Sequence, residues 1–264
     1  MVRRHERSAF MGGAYVFPGG RVNDTDQADE AWCDGIAGAV ERLAALPREE
    51  ALAYHVAAAR ELFEEAGVLL ARGANGRVVS LSAGGDRARF KGYRGGVHEG
   101  RTTLRAILER ERLRLALDAL VLFAHWVTPP IDDRQFDTRF FMTRLPPGQT
   151  PAHDETETTE SIWVTPRDAI TSSDRNAIDL PPPTWTTLRE IEPFASVDAA
   201  LAWARSRRVV RRQPKLFVEE GEHGRRMLLL PGDPLYPVSS AEDVPLETRF
   251  VLVDRRWRAE RART

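Results

Sequence analysis

The feature that most constrains this chain is a predicted helix on which three glutamates lie close together. Apolar residues recur at helical spacing over residues 49–70, and Gly67 occupies a position suited to the left-handed cap that ends many helices. At about 100° per residue, Glu61, Glu64 and Glu65 fall within roughly a 100° arc, and the apolar side chains fall on the opposite side. The sequence therefore predicts a helix that buries one face and presents an acidic stripe (these three glutamates) on the other.

The acidic stripe is a candidate metal site. Like charges three or four residues apart cost about 0.2–0.5 kcal/mol per pair on an exposed helix, and Arg60, four residues before Glu64, relieves only part of that cost. A bound Mg²⁺ or Mn²⁺ would relieve the rest, because hard divalent cations take clustered carboxylate oxygens. For three glutamates taken alone, a charged face exposed to solvent is the simpler interpretation, so the neighbouring sequence has to decide between the two.

The composition excludes several classes of protein. A hydrophobic content of 42% and a net charge of -1 exclude disorder as the main state of the 264 residues. A pI of about 6.6 disfavours a strongly basic nucleic-acid binder. Cys33 is the only cysteine, which leaves neither a disulfide framework nor a cysteine-based zinc site. Because no apolar run approaches the roughly 18 residues of a membrane span, we expect a cytoplasmic protein without a membrane partner.

Predicted helices and strands follow one another in mixed order, which is typical of the α+β class. Residues 71–100 are rich in glycine and arginine and are expected to form a loop, whereas residues 102–117 have the apolar spacing of a helix. Strands over 119–127 and 136–145 are expected to lie in one sheet. The C-terminal part adds two helices and three strands, predicted over 181–194, 196–206, 215–218, 226–230 and 249–253, the last as an edge strand.

Two segments resemble the signature of the Nudix hydrolase superfamily. The signature reads G-x5-E-x7-R-E-U-x-E-E-x-G-U, where U is aliphatic, and residues 60–68, RELFEEAGV, fit its second half at every specified position. The first half is represented by FPGG, which ends at Gly20. Between Gly20 and Arg60 the chain has 39 residues where the signature has 13, so about 26 residues are inserted.

This spacing leaves open which residue takes the place of the first signature glutamate. Counting back from Arg60 gives Leu52, whereas counting forward from Gly20 gives Asp26. The carboxylate is therefore either dispensed with or supplied from elsewhere, the candidates being Asp24, Asp26 and Glu50.

A long insertion within the signature is similar to the branch of the superfamily related to mammalian peroxisomal acyl-CoA diphosphatases. The chain shares with that branch the segments GGAYVFPGGRV at 12–22, FEEAGVLLAR at 63–72 and FDTRFF at 136–141. The resemblance implies an α+β fold of the Nudix type, an α/β/α sandwich with a mixed sheet. It also implies a Nudix domain over 1–172, insertions at about 21–48 and 71–117, and an extension of helices and strands packed on this domain over 173–264.

The resemblance further implies roles for single residues. The ligands of Mg²⁺ or Mn²⁺ would be the residues of the acidic stripe, Glu61, Glu64 and Glu65. Arg60 would hold these carboxylates in place. Gly19 and Gly20 would let the backbone turn tightly and form a substrate loop against the helix. His55, in the same helix, is expected to be structural or exposed to solvent.

A further acidic residue often comes from a separate loop in this superfamily, as a metal ligand or as the general base. The loop before Trp163 offers four acidic residues, Asp154, Glu155, Glu157 and Glu160. We favour Glu157, six residues before the tryptophan, with Glu160 second. Together with Arg60, Glu61 and Glu64, Glu157 completes the predicted catalytic set.

These residues and the resemblance lead to one functional hypothesis and two alternatives. We expect metal-dependent cleavage of a small-molecule nucleoside diphosphate derivative, CoA or acyl-CoA, to 3′,5′-ADP and (acyl-)phosphopantetheine. The first alternative is a Nudix hydrolase of ADP-ribose, dinucleotides or nucleotide sugars. The second is a non-catalytic Nudix-like domain that senses a nucleotide or binds a partner. The sequence disfavours nucleic acid as a partner and is compatible with a homodimer.

Overall fold

The structure is a computed structural model that describes residues 1–7, 11–129, 135–152, 158–221, 224–238 and 244–261. The chain forms two compact units that interleave along the sequence. Unit 1 comprises Met1–His5, Phe17–Val121 and Phe141–Ile162, and unit 2 comprises Glu6–Val16, Leu122–Phe140 and Trp163–Thr264. The predicted division into a domain over 1–172 and an extension over 173–264 stays a prediction.

The described parts of the chain form α-helices and β-strands in mixed order, in agreement with the α+β class. The helices are α1 (Ile36–Arg42), α2 (Arg48–Ala66), α3 (Gly84–His98), α4 (Leu104–Glu111), α5 (Pro166–Asp174), α6 (Pro182–Ile191) and α7 (Val197–Ser206). The strands are β1 (Val2–Arg4), β2 (Tyr15–Val16), β3 (Cys33–Asp34), β4 (Ala71–Arg72), β5 (Arg114–Ala116), β6 (Val121–Val127), β7 (Asp137–Met142), β8 (Thr158–Ser161), β9 (Arg211–Arg212), β10 (Lys215–Val218), β11 (Arg226–Leu229), β12 (Arg249–Val253) and β13 (Arg256–Glu260).

Helix α2 is the predicted acidic helix, and its ends follow from the local sequence. Glu49 and Glu50 lie in its first turn, where negative side chains interact favourably with the partial positive charge of the helix N-terminus. The helix ends at Ala66, earlier than predicted, because Gly67 takes a positive φ of 68° in the left-handed region. Its apolar face is buried and includes Leu52, Val56, Ala59 and Phe63.

The core of unit 1 joins the apolar face of α2 to side chains from the predicted insertions. Trp32 and Ile36 from the first insertion and Leu108 from the second belong to the same buried cluster. Fully burying a large apolar side chain contributes about 1.5–3 kcal/mol. A three-stranded sheet in the order β3-β5-β4 borders this cluster, with β3 parallel and β4 antiparallel to β5. The apolar face of the acidic helix is therefore anchored on residues that the signature alone does not specify.

Residues 71–100 are not simply a loop, because α3 forms within them. Phe90 and Val97 lie two helical turns apart on one face of α3 and are buried in the core of unit 1. Their burial outweighs the low helix propensity of the glycines in α3, each of which costs about 1 kcal/mol relative to alanine.

The helix predicted over 102–117 is shorter than expected, since α4 ends at Glu111 and β5 follows it.

The C-terminal part of unit 2 contains an antiparallel sheet in the order β10-β11-β12-β13. The sequence predicts β12 at the edge, but this prediction is wrong because β12 pairs with both β11 and β13. The chain reverses between β12 and β13 through Asp254 and Arg255, whose φ values are 49° and 64°. Phe250 of β12 packs edge to face on Trp185 of α6, with ring centroids 5.7 Å apart.

A second sheet, largely in unit 2, has the order β7-β6-β9. It confirms that the strands predicted over 119–127 and 136–145 are neighbours in one sheet. Strand β9 runs parallel to β6, with His125 opposite Arg211. None of the helices in the described ranges is long and apolar enough to cross a membrane.

Candidate active site

Arg60 lies at the centre of a hydrogen-bonded cluster of carboxylates on α2. Its Nη1 donates to Glu61 Oε1 at 2.7 Å and to Glu64 Oε1 at 2.9 Å. Its Nε and Nη2 donate to the two carboxylate oxygens of Asp26 at 2.7 and 2.9 Å. Nη2 also donates to the Arg21 carbonyl at 2.7 Å. The guanidinium of Arg60, a residue only 6% exposed, therefore donates to three carboxylates and one backbone carbonyl.

The electrostatics of this cluster keep Arg60 charged. Burial by itself lowers the pKa of the Arg60 guanidinium, because a buried cation loses hydration. The hydrogen bond with Asp26, the charge of Glu61 and the hydrogen bond with Glu64 more than reverse this effect and raise the pKa above its ordinary value. Arg60 is thus a permanent cation that compensates the repulsion between the neighbouring carboxylates.

Of the candidates for the first signature carboxylate, Asp26 is the one that contacts Arg60. Its carboxylate is 1% exposed, and besides Arg60 it accepts a hydrogen bond from the Asn23 N–H at 2.8 Å. Leu52, the alternative position by backward counting, is buried in the apolar core. Asp24 and Glu50 are exposed. The spacing from Gly20 to Asp26 is therefore that of the signature, and the inserted residues follow the aspartate.

The residues of the predicted substrate loop touch the acidic stripe directly. The Gly19 N–H donates to Glu65 Oε2 at 2.9 Å, and Glu65 is buried. A Cβ atom added to Gly20 would lie 2.3 Å from Glu61 Oε1. The backbone at Gly20 can approach the carboxylate this closely only because glycine has no side chain. The predicted packing of this turn against the helix is present, and its contact with a substrate stays a prediction.

The carboxylates of the acidic stripe have the chemistry of a site for a hard divalent cation. Glu61 and Glu64 both accept from Nη1 of Arg60, so their acceptor oxygens lie close together, and their side chains are only 12% and 15% exposed. The third, Glu65, is turned towards Gly19. Among the described residues, no group of three or more His, Cys, Asp or Glu side chains converges as metal ligands do. The donor set fits Mg²⁺ or Mn²⁺ in kind, and the ligand assignments stay predictions.

The predicted general base belongs to the acidic loop before Trp163. Glu157, together with Asp154 and Glu155, lies outside the described residues. Glu160 is exposed on β8, where it pairs with Arg3 of β1 in an antiparallel register. Just before this loop, the Ala152 N–H donates to the Ala66 carbonyl at 3.0 Å. The chain thus enters the acidic loop from the C-terminal end of α2.

His55 is a core residue of α2, in line with a structural role. Its side chain is fully buried, its Nδ1 lies 2.8 Å from the Ala51 carbonyl, and its ring packs on Phe141 with centroids 4.7 Å apart. Burial lowers the pKa of His55 below its ordinary value, so the neutral imidazole is favoured.

Arg94 is a neighbour of the site that the sequence does not reveal. Its Nε donates to the Glu64 carbonyl at 2.6 Å, and its Nη1 lies 3.3 Å from the position that a Cβ on Gly67 would take. Arg94 belongs to α3, in a stretch whose composition predicts a loop, and one arginine among many gives no signal of this contact. Only the helix, once folded, brings it to the end of α2.

Comparisons with known proteins identify the family of the chain. A family model described as the NUDT19 Nudix domain matches residues 38–191, which is more than half of the chain and includes the RELFEEAGV segment. Acyl-coenzyme A diphosphatase NUDT19 of Xenopus laevis is 26% identical over 90% of this chain and 70% of its own length. The Homo sapiens protein of the same name is 28% identical, over 89% and 71%. Putative nudix hydrolase 7 of Caenorhabditis elegans is 24% identical, over 93% and 72%.

A solved structure supports the fold. The crystal structure of a NUDIX hydrolase from Alicyclobacillus acidocaldarius matches with a TM-score of 0.61 and 25% identity, covering 76% of this chain and 86% of that one. The expected α+β fold of the Nudix type and the expected hydrolase are confirmed, which argues against the non-catalytic alternative. Nudix hydrolases generally use divalent metal ions. The chain belongs to the Nudix hydrolases, in the family described by the NUDT19 Nudix domain.

Proposed function

We propose that the chain hydrolyses the diphosphate of CoA or acyl-CoA, with Mg²⁺ or Mn²⁺, to 3′,5′-ADP and (acyl-)phosphopantetheine. The observation that carries this proposal is the carboxylate cluster around Arg60, in a chain whose relatives include proteins named acyl-coenzyme A diphosphatase. One water is consumed: a P–O bond of the diphosphate breaks, and the water oxygen is retained on one of the two phosphate products.

Each residue of the cluster has a definite task in this proposal. Glu61, Glu64 and Glu65 would hold the divalent cation, which, when bound, would neutralise the diphosphate and lower the pKa of the attacking water. Arg60 keeps the carboxylates of Glu61 and Glu64 oriented, because both accept from the same Nη1. Glu157, or failing that Glu160, is the proposed acceptor of the proton from that water.

The turn at Gly19 and Gly20 has two tasks. The Gly19 N–H donates to Glu65 and holds this proposed metal-binding carboxylate in place. Because Gly20 has no side chain, nothing displaces the nearby carboxylate of Glu61. A diphosphate bound at the acidic stripe would then lie beside a turn in which Gly20 carries no side chain. We therefore assign the turn as part of the substrate loop.

The proposal is tested with the purified chain, Mg²⁺ or Mn²⁺, and a panel of CoA, several acyl-CoAs, ADP-ribose, NADH and nucleotide sugars. We expect the highest kcat/KM for CoA or an acyl-CoA, with 3′,5′-ADP identified by mass. Glu64→Gln should lower kcat by orders of magnitude and leave the thermal unfolding temperature close to that of the wild type. Preference for ADP-ribose, a dinucleotide or a nucleotide sugar would support the first alternative instead. Near-wild-type turnover by Glu64→Gln would contradict the assignment of the site.

A further inference from the structure

We propose that Arg94, contributed by the second insertion, is a positioning residue that holds the last turn of α2 and thereby the metal-binding carboxylates. The inference rests on the proposed function, since it assigns Arg94 a task toward the metal site of that function. The predicted insertion over 71–117 would then be a working part of the active site, although it lies outside the signature.

The hydrogen bonds at the end of α2 identify the task. The last four carbonyl groups of a helix have no donor within the helix and must find one elsewhere. Phe63 accepts from the Gly67 N–H at 3.0 Å, and Ala66 accepts from the Ala152 N–H at 3.0 Å. The carbonyl of Glu64 accepts from Arg94 Nε at 2.6 Å. Arg94 therefore completes the hydrogen bonding of the residue whose carboxylate is bonded to Arg60.

The guanidinium of Arg94 also lies beside the glycine that caps α2. Gly67 caps α2 in the left-handed conformation, and Arg94 Nη1 lies 3.3 Å from the position that a Cβ on Gly67 would take. The cap thus leaves room for the guanidinium to lie against the end of the helix. Arg94 is also partly buried, so its contact with the helix end is sheltered from water.

The charge of Arg94 suits this place. The C-terminus of a helix carries a partial negative charge, and a cation there is stabilising. Here the last turn also carries Glu64 and Glu65, so the local negative charge is larger than in an ordinary helix. Arg94 compensates this negative charge at the carbonyl of Glu64, whereas Arg60 compensates it at the carboxylate of Glu64. The two arginines contact different atoms of Glu64 and therefore act together on its orientation.

The experiment compares Arg94→Met and Arg94→Lys with Arg89→Met in the full chain. Methionine keeps an aliphatic stem but removes the donor and the charge, whereas lysine keeps both. Arg89 is a matched control, because it lies in the same helix, is 43% exposed and pairs with Asp86 and Glu111 rather than with α2. Mn²⁺ affinity is measured without substrate by electron paramagnetic resonance of free Mn²⁺, and kcat and KM are measured on CoA.

Loss of an outer partner of a metal ligand typically costs about 10- to 100-fold in metal affinity or activity. We expect a loss of that size in Mn²⁺ affinity and kcat for Arg94→Met, with KM little changed. Arg94→Lys should recover most of it, and Arg89→Met should behave as the wild type. The inference is overturned if Arg94→Met binds Mn²⁺ like the wild type, or if Arg89→Met loses as much.

The outcome is separable from that of the proposed function. If the wild type binds Mn²⁺ but does not hydrolyse CoA, the proposed function fails, while the Mn²⁺ affinities of the variants still test Arg94. Should Arg94→Met not fold, Arg94→Gln decides, because glutamine keeps a polar side chain but removes the charge and the guanidinium. Reduced Mn²⁺ affinity in a folded Arg94→Gln variant, with an unfolding temperature like that of Arg89→Met, supports positioning through the guanidinium. Wild-type affinity in that folded glutamine variant, beside an unfolded methionine variant, assigns Arg94 to folding alone and overturns the inference.

Discussion

Replacing Asp26 with asparagine is the most direct test of the cluster around Arg60. The change exchanges one carboxylate oxygen for an NH₂ group, and both the stability of the fold and kcat should fall. The Asp26 carboxylate takes two hydrogen bonds from Arg60, at 2.7 and 2.9 Å, and one from the Asn23 N–H. Asparagine keeps the size of the side chain but removes its charge, and its NH₂ group would face the donors of the guanidinium. Arg60 would then be a buried cation without its bidentate partner.

The size of the effect follows from the burial of the pair. Removing one partner of a buried ion pair costs about 3–5 kcal/mol. Because Glu61 and Glu64 still accept from Nη1, part of the charge stays compensated, and we expect the lower end, about 3 kcal/mol. For a chain of this size that corresponds to a fall of roughly 6–12 °C in the unfolding temperature. The reorientation of Arg60 should also lower kcat by about 10- to 100-fold.

The assay uses thermal and urea unfolding together with kcat on the best substrate. Asp24→Asn is the matched control, because Asp24 lies two residues away, is exposed and undergoes the same chemical change. It should shift the free energy of unfolding by less than about 0.5 kcal/mol, as surface substitutions usually do. If Asp26→Asn unfolds and turns over like Asp24→Asn, the aspartate does not hold Arg60 in solution, and the assignment of the first signature carboxylate is refuted.

Three further predictions concern single positions. Gly20→Ala should lower kcat strongly with little loss of fold, because the new Cβ would lie 2.3 Å from Glu61 Oε1, whereas Gly19→Ala meets no atom within 4 Å and should cost much less. Stability should fall as the pH drops below about 6.5, since the unfolded chain takes up a proton that buried His55 resists, and His55→Gln should reduce this slope in urea unfolding. Gly92→Ala in α3 should raise the free energy of unfolding by about 0.5–1 kcal/mol, because its Cβ meets nothing within 4 Å; a loss of stability would contradict this.

How far the sequence predicts this molecule depends on how local each signal is. Helix α2 is predictable because its apolar spacing and its cap at Gly67 both lie within the segment itself. Helix α3 is not predictable in this way, because its glycines have low helix propensity. The burial of Phe90 and Val97 in the core of unit 1 stabilises it instead. Intrinsic propensity therefore fails where tertiary packing supplies the stabilising free energy.

The site shows the same limit. The acidic stripe follows from helical geometry. The sequence does not show which of three acidic residues contacts Arg60, because Asp26 lies 34 residues before it in the chain. The spacing from Gly20 to Asp26 was the available signal, and the long insertion weakened it. The contact of Arg94 with the Glu64 carbonyl is not predictable from the sequence, because it depends on α3, a helix that the local composition disfavours.

The two insertions give α2 support at different points along its length. The first insertion supplies Trp32 and Ile36 to the core that holds the apolar face of α2, and α2 itself begins at Arg48, where that insertion ends. The second insertion supplies Arg94 to the last turn. A helix held on its apolar face and at its C-terminal end keeps a fixed rotation about its axis, and that rotation decides where Glu61, Glu64 and Glu65 point. Residues outside the signature therefore set the geometry of the carboxylates inside it, so their substitution should change metal affinity before it changes the recognition of the substrate.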